Sequence, residues 1–362
     1  MEWISNLEHT ASTETKPSNG TLAELTAAEL EVQLHLASSH LAYLLDCHLL
    51  DLLKAMTMLV LALVSLLLSL GGPSAASESR ATALRRLLQR GTIVLMPCCY
   101  DGVTARLVEQ AGFELTFMTG FGVSASQGLP DLGLVSAGEM VRAAQVICES
   151  LVSIPCIGDG DTGYGNPANV RRTVRSYAQA GLAGIMIEDQ VAPKRCGHTR
   201  GKQVVSREEA AARVQAAVDA RNEGSDIVIL ARTDARQVGG LDEAIERCRL
   251  FMELGADWTF LEAPQSVEEM RRYCQEVKGP KLANMLEFGL TPVLSPQELQ
   301  ELGYSVAAYP LTLLSAGTRA MQMALERLRQ GKDTTDLLLE FSELQRVLGF
   351  PEYYETLERY KF

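Results

Sequence analysis

The feature that most constrains this chain is a regular alternation that begins at Glu78. Eight short apolar runs recur along it: Ile93–Met96, Leu115–Met118, Ile154–Gly158, Gly184–Ile187, Ile227–Ala231, Trp258–Leu261, Lys281–Ala283 and Val306–Ala308. Between them lie Val103–Gln110, Pro167–Ala180, Ser206–Asn222, Leu241–Leu254, Val267–Val277 and Pro296–Leu302, all with helical spacing of apolar residues. Gly112, Gly181, Gly224, Gly255, Gly279 and Gly303 stand where those helices should stop. Eight strands, each followed by a helix, in about 240 residues are the arithmetic of an α/β fold of the (β/α)8 TIM-barrel type. A doubly wound open sheet is the alternative. The spacing predicts the barrel over residues 78–310 and a mostly helical segment over 311–362.

Residues 1–77 are of another kind. The first forty are polar, and a hydrophobic segment over 55–72 follows, uncharged as far as Ser77. Its core, Met58 to Leu70, is 13 residues long. That is short of the roughly 20 residues of a membrane span and matches the apolar stretch of a targeting sequence. The expectation is a leader or signal anchor to an organelle, plastid or mitochondrion. The alternatives are an upstream extension of a cytoplasmic protein or a folded helical hairpin. Any membrane contact is expected through this segment alone.

With 33 basic and 45 acidic residues the chain carries a net charge of −12, and no basic run exceeds a pair. Such a surface is a poor partner for phosphate backbones, so nucleic acid is excluded as a ligand class. The eight cysteines form no C-x-x-C pair and read as buried, reduced thiols. Cys196 is the exception, because Lys194, Arg195 and His198 around it favour the thiolate.

In a barrel the reacting groups sit at the C-terminal ends of the strands. Just past the eight runs stand Tyr100-Asp101, Thr119-Gly120, Asp159-Gly160-Asp161, Glu188-Asp189, Arg232-Thr233-Asp234, Glu262, Asn284 and Tyr309-Pro310. Structural carboxylates account for one or two such ends, not for the set. Clustered carboxylates repel one another unless a cation sits among them. Oxygen donors without a His or Cys cluster suit Mg²⁺ better than Zn²⁺, and Asp159 and Asp161, two apart, share a face of an extended chain. Lys194–His198 follows the fourth strand and is long enough to be a lid. The run Gly120–Ala125 matches G-x-G-x-x-A, but no acidic strand end follows at the distance a dinucleotide site needs. Gly158–Gly165 lacks the ending of a P-loop.

Seven motifs occur in order: GDGDTGYG at 158–165, IEDQ at 187–190, KRCGH at 194–198, ARTDA at 231–235, LEAP at 261–264, LANMLEFGLTP at 282–292 and YPLT at 309–312. Together they resemble the isocitrate lyase/phosphoenolpyruvate mutase superfamily, over about residues 80–360. The nearest branches are the 2-methylisocitrate lyases and the plant-type carboxyvinyl-carboxyphosphonate phosphorylmutase-like proteins. The resemblance implies a Mg²⁺-dependent barrel that swaps a C-terminal helix between subunits and assembles as a homotetramer. Position by position, Asp159 and Asp161 would hold the ion, with Glu188 and Asp131 reaching it through water. Thr119, Gly120 and Gly122 would cradle a substrate carboxylate with backbone N–H groups. Arg232, Glu262, Asn284 and Pro310 would contact the substrate, and Gly197 and His198 would close over it. Cys196, Arg232 and Glu188 form the implied catalytic set, with Cys196 as acid/base.

The implied reaction is retro-aldol cleavage of a small 2-hydroxy di- or tricarboxylate of the 2-methylisocitrate or 2,3-dimethylmalate kind. The alternatives are oxaloacetate hydrolysis, carboxyvinyl-carboxyphosphonate phosphoryl transfer and, remotely, a silent scaffold barrel. By the resemblance, Cys196 argues against plain phosphoenolpyruvate mutases, and Pro310 stands where the hydrolases carry serine. The strand-2 loop is one residue short of the usual pattern, and Phe117 stands where bacterial 2-methylisocitrate lyases have tyrosine.

Overall fold

The computed structural model describes residues 31–32, 34–39, 41, 56–60, 78–197 and 201–360. The chain divides into two units, Met1–Ser77 and Glu78–Phe362. In the first, only short helical pieces are described, so most of the hydrophobic segment 55–72 lies outside the described residues. Among the described residues, no helix is long and apolar enough to cross a membrane.

The second unit opens with helix α1 (Arg80–Gln89) and continues with eight strands. These are β1 (Val94–Cys99), β2 (Thr116–Met118), β3 (Cys156–Asp159), β4 (Gly184–Glu188), β5 (Val228–Thr233), β6 (Trp258–Leu261), β7 (Leu282–Asn284) and β8 (Val306–Tyr309). All pair in parallel in the order β6-β5-β4-β3-β2-β1-β8-β7. A single parallel bridge, Thr259 to Lys281, brings β6 to β7 and closes the (β/α)8 barrel. The strands are buried on both faces, which is why they read as unbroken apolar runs rather than alternating ones.

Inside the barrel, Met96, Phe117, Ile157, Met186, Leu230, Trp258 and Phe260 form one packed layer system. Leu84, Leu87 and Leu88 of α1 join it and plug its N-terminal end, a role the amphipathic spacing did not disclose. Six of the eight sequence-predicted strands stop short at their C-terminal ends, while β2 and β6 end where predicted, at Met118 and Leu261. The structure carries β3 on to Asp159, β4 to Glu188 and β5 to Thr233, because ladder hydrogen bonds continue whatever the side chain. The register matters for chemistry: Glu188 lies directly beside Arg232.

The barrel helices begin with α2 (Gly102–Gln110), α3 (Gly120–Ser126), α4 (Ala137–Ser150) and α5 (Pro167–Gln179). They continue with α6 (Arg207–Asn222), α7 (Arg236–Gly239), α8 (Leu241–Glu253), α9 (Val267–Glu276) and α10 (Pro296–Leu302). Local signals set their ends. Ser136, Asn166 and Ser295 each close a reciprocal capping box, the latter two with Pro at the first helical position. Gly303 ends α10 at φ 105°, a conformation a Cβ would strain.

After β8 come α11 (Thr312–Arg329), α12 (Phe341–Val347) and α13 (Phe350–Glu358), none of which buries a residue. Met321, Leu325, Leu328, Phe341 and Tyr353 are all exposed.

Candidate active site

The strand ends converge on a cavity of about 80 Å³, room for roughly five to eight waters and so for a small acid, not a nucleotide. Asp131, Asp159, Cys196, Arg232, Glu262, Asn284 and Pro310 all line it, over a floor of Met96, Phe117, Met186, Phe260 and Ala308.

Two ionic clusters organise the polar side. In the first, the buried Lys194 ammonium lies 2.6 Å from Asp131 and 2.8 Å from Asp161. Asp159 accepts from the N–H groups of Gly120 (3.2 Å) and Asp161 (3.1 Å). Burial pushes the Asp161 carboxyl up to about 6 while Lys194 pulls against it. Asp161 sits at φ 46°, in the left-handed region that Asp and Asn tolerate better than most residues.

In the second cluster Arg232 stacks over Phe260, 5.2 Å from the ring centre. Its guanidinium is bidentate on Asp234 (2.8 and 3.1 Å) and also meets Glu188 and Glu262, each at 3.2 Å. Burial works against this cation, but the three carboxylates hold it charged. Burial also raises Glu188 well above the ordinary carboxylate range, with Arg232 opposing. Glu188 Oε1 is buried with no hydrogen-bond partner.

The orphaned Glu188 oxygen is a donor that a hard cation could use, whereas the Lys194 ammonium already neutralises Asp131 and Asp161. Among the described residues, no three His, Cys, Asp or Glu side chains stand close enough together to hold an ion. The donors at this mouth are carboxylate oxygens without a His or Cys cluster among the described residues, a chemistry that suits a hard cation better than Zn²⁺.

Other sequence-predicted residues fall as follows. Thr119 lines the pocket, but its N–H donates to the Cys99 carbonyl at 3.0 Å. The Gly120 N–H serves Asp159, and Gly122 packs on Tyr100, where a Cβ would lie 2.6 Å from that side chain. In this structure the Thr119 and Gly120 amides are thus turned to protein partners rather than to a ligand carboxylate. Asn284 approaches Glu262 at 3.4 Å. Gly197 packs so closely on Arg232 that an added Cβ would stand 2.5 Å from its Nη2. His198 lies outside the described residues.

Two of the polar strand ends are structural. Asp101 caps α2 in a box with Thr104. Asp189 accepts from Thr233 Oγ1 (2.6 Å), the Asp234 N–H (2.9 Å) and Arg247 (3.0 Å), fixing the end of β5. Asp189→Ala should cost about 3–5 kcal/mol, because the buried Thr233 hydroxyl and Asp234 N–H lose their acceptor while Arg247 keeps only Glu243 of these two carboxylates. Urea unfolding of the purified protein measures it.

The sequence places Lys194 beside Cys196 as a cation favouring its thiolate and marks nothing at Lys202. In the structure the Lys194 ammonium is taken up by Asp131 and Asp161, which only the fold brings to it.

The sequence profile of the phosphoenolpyruvate phosphomutase family matches residues 84–329. The chain belongs to that family, within the phosphoenolpyruvate mutase/isocitrate lyase superfamily of lyases and mutases. It is 43% identical over 286 residues to the chloroplastic carboxyvinyl-carboxyphosphonate phosphorylmutase of Arabidopsis thaliana, covering 77% of this chain and 84% of that one. It is 43% identical over 285 residues to 2,3-dimethylmalate lyase of Eubacterium barkeri (77% and 98%). A 2-methylisocitrate lyase of Aeropyrum pernix is 40% identical over 279 residues (76% and 89%).

Among solved structures, oxaloacetate acetylhydrolase with 3,3-difluorooxalacetate superposes with a TM-score of 0.74 at 37% identity, covering 77% of this chain and 96% of that one. Phosphonopyruvate hydrolase, solved with oxalate and Mg²⁺, superposes at 0.70 and 28% identity (78% and 99%). Phosphomutase-family enzymes therefore share this barrel across lyase, hydrolase and mutase chemistries, and this chain is an enzyme of that group.

Proposed function

We propose that the chain is a Mg²⁺-dependent carbon–carbon lyase that cleaves a small 2-hydroxy di- or tricarboxylate by retro-aldol chemistry. One observation carries the reading: a single small cavity gathers Asp159, Cys196, Arg232, Glu262, Asn284 and Pro310. Asp159 and Asp161 would hold Mg²⁺, with Glu188 and Asp131 reaching it through water. The ion supplies Lewis-acid polarisation of a 2-hydroxy acid's carboxylate and hydroxyl, lowering the hydroxyl pKa.

The chain's own groups do the rest. Arg232 stabilises the negative charge that develops as the carbon–carbon bond breaks. Glu188, beside Arg232, would take the proton that the substrate hydroxyl loses as the carbon–carbon bond breaks, and Cys196 donates the proton that quenches the carboxylate-stabilised carbanion. The apolar floor excludes water, and Pro310 puts no hydroxyl into the pocket.

The test is parallel incubation of the full chain, with Mg²⁺, with 2-methylisocitrate, 2,3-dimethylmalate and oxaloacetate. Pyruvate release from 2-methylisocitrate or 2,3-dimethylmalate, with propionate from the latter, that disappears with EDTA supports the lyase. Oxalate from oxaloacetate alone moves the chain to the hydrolases.

The exposed apolar face of α11 to α13 is read as the swapped segment of a homotetramer, which light scattering should report as four times the chain mass. Residues 1–77, in which none of the named site residues falls, are read as a leader to a plastid or mitochondrion, with an upstream extension of a cytoplasmic protein as the alternative.

A further inference from the structure

We propose that Lys202 is a positioning residue that locks the thiol-bearing backbone onto the Arg232 cluster. The inference rests on the reading of Cys196 and Arg232 as the reacting pair.

Cys196 is a single residue between two anchored neighbours. On its upstream side the Gln190 amide holds both backbone groups of Arg195, accepting its N–H at 3.0 Å and donating to its carbonyl at 2.9 Å. On its downstream side Lys202 Nζ donates to the Gly197 carbonyl at 2.5 Å. The same ammonium donates to Asp234 Oδ1 at 2.5 Å. The Lys202 side chain is 1% exposed and that of Asp234 not at all. Asp234 in turn grips Arg232, so one buried lysine joins the backbone next to the thiol to the guanidinium expected to face substrate.

The alternative is that Lys202 merely neutralises Asp234. Arg232 already does so with two hydrogen bonds, while burial works against the carboxylate and both cations hold it below the ordinary Asp range. Neutralisation alone gives no reason for the ammonium to meet Gly197. The missing Cβ at 197 is the complementary half of the device. Any side chain there would meet Arg232 and Glu262 within 2.8 Å, so only glycine lets the anchored carbonyl and the guanidinium come together.

The experiment compares Lys202→Met with the parent as full-length, purified protein, using iodoacetamide and residue-resolved mass spectrometry of Cys196. No substrate is needed. Buried Cys98, Cys99, Cys156 and Cys248 serve as controls for general opening. Released from its downstream anchor, Cys196 should be alkylated about tenfold faster while the controls stay protected, the scale of one charge-assisted hydrogen bond lost from the closed state. On a substrate the parent turns over, kcat should fall about 10- to 100-fold with KM within about threefold, the range of an outer-shell loss.

Unchanged or slower alkylation of Cys196 overturns the proposal, as does acceleration shared by the controls. If Lys202→Met does not fold, Lys202→Gln is read by the same criterion. A parent that turns over none of the acids counts against the lyase reading, and the alkylation result then still decides the role of Lys202.

Discussion

Replacing Asp161 by asparagine should leave a folded barrel that no longer responds to Mg²⁺. Asparagine is the substitution that isolates the charge. It keeps the shape of the side chain and is at ease at the φ of 46° this position demands, where a β-branched residue would be strained. Lys194 keeps Asp131 at 2.6 Å, so the fold loses one ion-pair partner rather than stranding an ammonium. What disappears is one of two carboxylates expected to touch the ion directly. Lewis-acid stabilisation is worth several kcal/mol, and about 4 kcal/mol corresponds to about 10³-fold in rate. The expected result is a fall in kcat/KM of about that size, with loss of the rise in melting temperature that Mg²⁺ binding should give the parent. A variant that still gains stability from Mg²⁺ would place the ion elsewhere.

The barrel was legible because two simple periodicities coincide: buried parallel strands read as apolar runs, and the helices between them end in glycine. Strand ends such as Asp159, Glu188 and Arg232 were legible for the same reason, since a barrel has one mouth and polar residues after apolar runs must face it. The rest depended on long-range contact. Lys194 and Lys202 carry no pattern that separates them from surface lysines, and their partners Asp131 and Asp234 lie in other loops. Asp101 and Asp189 show the opposite case, strand-end carboxylates that the fold uses for capping and for pinning β5. The glycines at 120 and 122, expected to cradle a ligand carboxylate, also stand where Asp159 and Tyr100 come within 2.7 and 2.6 Å of where a Cβ would be. Close approach and ligand cradling leave the same mark in a sequence, and the two are compatible.

Cys196→Ser should lower kcat by about 10²- to 10⁴-fold while leaving KM and Mg²⁺ binding close to those of the parent. Serine preserves size and hydrogen bonding, so the half-buried segment between the Gln190 and Lys202 anchors should keep its path. It removes the one property the lyase reading needs. A thiol gives up a proton around neutral pH far more readily than an aliphatic hydroxyl, and general acid catalysis contributes about 10²- to 10⁴-fold. The effect belongs in kcat because the thiol acts on the carbanion formed after the carbon–carbon bond breaks. Arg232, Asn284 and the carboxylates that receive the substrate are untouched. Single-turnover measurement sharpens the test: bond cleavage followed by slow product formation would put the lost step at protonation. A serine variant with the parent's kcat would remove Cys196 from the chemistry and leave the proton to another group at the same mouth.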